Sequence, residues 1–154
     1  MKLLKSILRS GLMFCLLTWL ALSVVNGQIK KLIIIDPLVT GETNNLVSQL
    51  PYVKVLRLPD KGNPISIITN ELKTAAYDEI HLYLLTKPGS VIFDEINILS
   101  ENVQDFSADF SQWKILLNQS ARIVFHSQNL TSDPDGTEIL NKISSFTGRR
   151  VVVE

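Results

Sequence analysis

KLIIID, residues 31–36, is the stretch on which the fold turns. Leu32 to Ile35 are four apolar residues in succession, three of them β-branched, and no polar position interrupts them. A strand with one wet face alternates apolar and polar side chains. An unbroken run reads instead as a strand buried on both faces, the kind found in a parallel sheet covered by helices. Asp36-Pro37 ends it with turn chemistry.

Working outward, similar runs recur with amphipathic stretches between them. YVKVLRLP (52–59) reads as a second strand, DEIHLYLLT (78–86) as a third, ARIVF (121–125) as a fourth, and RRVVVE (149–154) as another. SVIFDEINIL (90–99) alternates enough for one or two short strands. GETNNLVSQL (41–50) predicts a short helix. Asn63-Pro64 supplies an N-cap with proline at the first helical position, predicting a helix through about Ala75. Phe106, Phe110, Trp113 and Leu117 fall at i, i+4, i+7 and i+11, the core-facing side of a further helix rather than an aromatic binding stripe. Asp133-Pro134 opens a last helix through Ile139, Leu140, Ile143 and Phe146, with Gly148 as its C-terminal glycine.

Strands alternating with helices predict an α/β fold with a mostly parallel sheet. With right-handed crossovers this becomes a three-layer αβα sandwich, flavodoxin-like or caspase-like in outline. No internal repeat or low-complexity segment interrupts residues 28–154, which read as a single α/β domain.

Residues 1–27 read differently. Lys2, Lys5 and Arg9 form a positive start without an acidic residue, and GLMFCLLTWLALSVV (11–25) follows as an apolar run. Val25-Asn26-Gly27 then offers a cleavage site before Gln28, so the segment has the anatomy of a secretory signal peptide. An apolar run of this length is short for a membrane span of about 20 residues, and no span is expected after cleavage. The expected destination is the outside of the cell, the periplasm or the cell surface.

Removing the segment takes three of the 15 basic residues and none of the 15 acidic ones, leaving a net charge of −3. Neither nucleic acid nor an anionic membrane is the expected partner of such a chain. Cys15, the single cysteine, departs with the signal, so disulfides, thiolate nucleophiles and cysteine metal sites are excluded from the remainder.

An open α/β sheet places its chemistry at the carboxyl ends of its strands. The first strand delivers Asp36, the third Leu85, Thr86 and Lys87, and the fourth His126, Ser127 and Gln128. His81 and His126 are the two histidines, and neither has a neighbour at metal-ligand spacing. The glycines form no phosphate-binding pattern, and no G-x-S-x-G elbow surrounds Ser127. No cofactor or metal is expected. His126 and Ser127 are adjacent, and adjacent strand residues point to opposite faces, which argues against a catalytic pair.

In order along the chain, IIIDPLV, DEIHLYLLTKPGSVIF, FSQWKILLNQSARIVFHSQNL and ISSFTGRRVVV resemble the secreted bacterial domain of unknown function numbered 4347. That family resembles the caspase–gingipain fold and often stands at the front of large, repeat-rich exported proteins. Its third strand typically ends I-H-I-V-S-H-G and its fourth L-L-Y-G-C, followed by Asn or Asp. The resemblance implies a histidine–cysteine pair, the cysteine attacking a peptide carbonyl. Ile80-His81-Leu82 matches the family's I-H-I, but Leu85 falls at the position of the second histidine and Thr86 at that of its glycine. Gln128 falls at the position of the cysteine, and Asn129 matches the residue after it. Leucine transfers no proton, and a glutamine amide is neither nucleophilic nor titratable at physiological pH. A slip of one residue brings Ser127 to the nucleophile position, still opposite Leu85 or Thr86.

Three functional readings follow. The first is a non-catalytic, caspase-like exported domain, a pseudoenzyme that binds a protein or cell-surface partner, assembles, or is displayed. The second is a hydrolase using Ser127 or Asp36 with Lys87 or His126. The third is a binder of a small polar ligand through Asp36, Thr86, Gln128 and Asn129.

Overall fold

The computed structural model describes residues 28–39, 52–93, 96–127 and 129–154. The expected signal peptide (1–27), the expected short helix (41–50) and Gln128 lie outside the described residues.

Five strands, β1 (Lys31–Ile35), β2 (Val53–Arg57), β3 (Glu79–Tyr83), β7 (Arg122–Phe125) and β8 (Arg150–Val153), form one sheet in the order β2-β1-β3-β7-β8. Every neighbouring pair in it is parallel. Three short strands, β4 (Leu85–Lys87), β5 (Ser90–Phe93) and β6 (Ile96–Leu99), form a separate antiparallel sheet. The helices are α1 (Pro64–Leu72), α2 (Ser107–Leu116) and α3 (Pro134–Thr147), with 3-10 turns at Val103–Phe106 and Leu130–Ser132. No helix among the described residues is long and apolar enough to cross a membrane.

The central run behaves as its composition requires. Leu32 and Ile34 enter the main core, while Ile33 and Ile35 are buried on the opposite face of the sheet. The main core joins alternate residues of the inner strands, Ile80, Leu82, Ile123 and Phe125, to Ile65, Ile68 and Leu72 of α1. Phe110 and Trp113 of α2, and Ile139 and Ile143 of α3, complete it, and α2 packs against both other helices. Each of these side chains contributes about 1.5–3 kcal/mol by leaving water. Trp113, with no exposed surface, donates from Nε1 to Thr69 Oγ1 at 2.8 Å, so its polar edge is satisfied inside the core.

The helix caps match the sequence signals. Asn63 Oδ1 accepts from Ser66 N at 3.0 Å, and Asp133 Oδ1 from Asp135 N at 2.9 Å. Gly148 takes a left-handed conformation with φ 60°, which glycine adopts without steric cost. Beside it Arg149, nearly buried, donates to the carbonyls of Lys114 and Leu117 and so closes the last turn of α2.

Two boundaries differ from the sequence reading. The first helix stops at Leu72 rather than near Ala75, because Lys73 N and Thr74 N bond to Asn70 O and Glu71 O, three residues back, in a tightened turn. The third strand is not continuous over 78–86. It leaves the parallel sheet at Leu84, and Leu85–Lys87 pair with Ser90–Ile92 in the small sheet instead.

Candidate functional site

Backbone bonds extend the parallel ladder at its carboxyl edge. Asp36 N donates to Tyr83 O at 2.9 Å, His126 N to Leu82 O at 3.0 Å and Ser127 N to Glu154 O at 3.1 Å. These bonds fix where the candidate residues stand.

Asp36 is fully buried, and its Oδ1 accepts from Leu38 N at 2.8 Å while its carbonyl accepts from Val39 N. This is the side-chain-to-backbone turn that aspartate before proline favours. Leu85 stands on β4, cross-strand from Ile92, and is 37% exposed. Its neighbour Thr86 faces the other way, and its Oγ1 lies 2.6 Å from Ser127 Oγ. Ser127 Oγ also accepts from Leu130 N at 3.0 Å, holding the 3-10 turn that follows β7. The structure therefore brings Thr86 and Ser127 together and turns Leu85 away from them.

Chemically, two hydroxyls in contact form a weak pair. Neither can take the other's proton, and no titratable side chain among the described residues hydrogen-bonds to either one. A nucleophilic serine needs a base within about 2.6–3.2 Å. Lys87 hydrogen-bonds to neither hydroxyl, and His126 is engaged elsewhere, as the opposed directions of adjacent strand residues require.

That engagement is a feature the sequence reading did not assemble. Glu79, His81 and Tyr83 share one face of β3 by the two-residue strand period, and the β3–β7 register sets His126 beside them. His81 Nδ1 lies 2.9 Å from His126 Nε2, and His81 Nε2 lies 3.2 Å from Glu79 Oε2. The imidazole centroids are 5.2 Å apart, so the two bonded nitrogens lie on the line joining the rings. This is an in-line hydrogen bond, not a pair of lone pairs converging on one metal position. Among the described residues no group of three or more His, Cys, Asp or Glu side chains is placed to hold a metal ion. Tyr83 stacks on His126 with centroids 4.0 Å apart and rings within 4° of parallel.

Charges around this strip favour an ionised Glu79 and a neutral His126. Burial raises the Glu79 carboxyl, but hydrogen bonds from Lys31, Arg122 and His81 outweigh it and lower the pKa to about 2. Its oxygens lie 2.7 Å from Lys31 Nζ and 2.6 Å from an Arg122 nitrogen. An ionised Glu79 only accepts, so His81 Nε2 carries a hydrogen toward it. Burial, then the proximity of His81, lower the His126 pKa against the opposing influence of Glu154. Neutral His126 then donates from Nε2 to His81 Nδ1 when His81 is neutral, forming a directed chain His126→His81→Glu79.

The family model described as Domain of unknown function (DUF4347) matches residues 32–154 of the chain. No curated protein and no solved structure matches it.

Proposed function

The chain belongs to the DUF4347 family, and from that membership and the geometry of its strand ends we propose an exported, non-catalytic domain that serves binding, assembly or surface display. The observation that carries this reading is the closed hydroxyl network Thr86–Ser127–Leu130, with Leu85 turned outward on β4. Ser127 Oγ serves as a turn cap and a tie between two sheets, which is a structural use of a hydroxyl. The caspase-like, three-layer outline belongs to the same proposal. It is supported by the all-parallel order β2-β1-β3-β7-β8 and by burial of Ile33 and Ile35 on the face away from the three helices. Export rests on the composition of residues 1–27, and amino-terminal sequencing of the exported protein should begin at Gln28.

A serine-reactive fluorophosphonate probe, followed by peptide and ester substrate panels, tests the loss of catalysis. The expected result is no labelling at Ser127 and no turnover above that of S127A. Labelling that disappears in S127A overturns the reading.

The hydrolase reading draws on one observation, the contacts from His126 to His81 at 2.9 Å and from His81 to Glu79 at 3.2 Å, which hold an imidazole as a general base is held. It requires turnover that falls in H126A, together with S127A if Ser127 is the nucleophile or with D36N if Asp36 is.

A further inference from the structure

We infer that two copies of this chain pair through their β8 strands, antiparallel, with Arg150 of each copy facing Glu154 of the other. This narrows the assembly role proposed above to self-association. β8 borders the described five-stranded sheet, with β7 as its one neighbour there. Glu154 N donates to Phe125 O at 3.0 Å, and Glu154 O accepts from Ser127 N at 3.1 Å. Residue 154 thus turns both backbone groups toward β7. Strand alternation makes 152 and 150 do the same, and turns the backbone groups of Val151 and Val153 outward.

An antiparallel partner strand must take those outward residues as its hydrogen-bonded positions. A second copy of the same edge does so in a register centred on Val152. Val151 then faces Val153 of the second copy, twice over, exchanging about four backbone hydrogen bonds in all. Arg150 faces Glu154 in the same way at both ends. The segment RVVVE is self-complementary when read against itself. The two adjacent symmetric registers also satisfy the backbone, but they set Arg150 or Glu154 opposite Val152 and lose both charge pairs. Opposite charges directly across an antiparallel pair stabilise it.

Accessibility agrees. Arg150 and Glu154 are exposed, Val151 to Val153 are half-buried, and neither charge has an ion-pair partner among the described residues. An edge contact of this size fits a dissociation constant on the order of micromolar.

Sedimentation equilibrium of the full-length gene product, purified as the cell delivers it, tests the pairing over about 1–500 μM. A monomer–dimer equilibrium is expected. R150E and E154R should each weaken it by roughly tenfold or more, and the double variant R150E/E154R should restore it. V153P removes an outward N–H while sparing the bonds to β7, and should leave a folded monomer by circular dichroism. A monomer throughout the range, or a dimer indifferent to the charge reversals, overturns the pairing. Either result leaves the non-catalytic reading to be judged by the Ser127 labelling.

Discussion

The Oγ atoms of Thr86 and Ser127 lie 2.6 Å apart, and this one contact ties the antiparallel sheet to the end of β7. Because Ser127 Oγ also accepts from Leu130 N, removing it leaves a buried backbone donor unpaired. S127A should therefore cost about 1–3 kcal/mol in urea denaturation. T86V should cost less, since the cap on Leu130 survives. A double-mutant cycle should give a coupling near the full effect of T86V, and a coupling of zero would mean the hydroxyls do not interact in solution.

The Trp113–Thr69 bond makes a second test, this time of the core. Thr69 Oγ1 donates to Ile65 O at 2.7 Å and accepts from Trp113 Nε1, so one hydroxyl serves two groups. T69V keeps the volume and strands the indole N–H in an apolar interior. The expected loss is about 1–3 kcal/mol. In the T69V background W113F should be milder than in the wild type, because the orphaned donor leaves with the indole.

How far this was legible in the sequence depended on the range of the contact. The unbroken run Leu32–Ile35, the caps at Asn63 and Asp133, Gly148 and the Phe110–Trp113 face announced themselves through local chemistry. The departure of the chain at Leu84 did not, because DEIHLYLLT stays apolar across the break and only pairing with Ser90–Ile92 reveals it. Thr86 and Ser127 are 41 residues apart and His81 and His126 are 45 apart, so their meeting depends on sheet register. One signal for the second pair was available: Glu79, His81 and Tyr83 at two-residue spacing put three polar groups on one strand face.

Gly136 gives a third prediction. A Cβ at this position would run into the carbonyl oxygen of Leu130, a backbone atom that cannot swing aside. The first turn of α3 therefore packs on the 3-10 turn through a glycine although the helix would favour alanine there. G136A should destabilise by about 1–3 kcal/mol or more, the reverse of its helix-propensity effect. A thermal melt at or above that of the wild type would show that the two turns separate easily.

Acid should unfold the protein in two stages, and the signs follow from the charges on the polar face of β3. The folded-state pKa of Glu79 is about 2 against an ordinary 4.5, because Lys31, Arg122 and His81 hold its ionised form against the cost of burial. A lowered carboxyl pKa means that the unfolded chain binds the proton first. The stabilisation from Glu79 is complete above about pH 4.5 and is lost as the pH falls toward 2. His126 also has its pKa lowered, by burial and by His81, so the folded protein favours its neutral form. Its contribution is complete above the ordinary value of 6.5 and begins to fade as the pH drops below it. Urea midpoints measured from pH 8 to 2 should fall gently below about 6.5 and steeply below about 4.5. E79Q should be less stable than the wild type at neutral pH, since Lys31 and Arg122 lose their shared counter-charge, and it should lack the steep lower limb. Parallel curves for the wild type and E79Q through the acid range would show that Glu79 titrates alike in the folded and unfolded chains, and that the Lys31–Glu79–Arg122 cluster does not hold in solution.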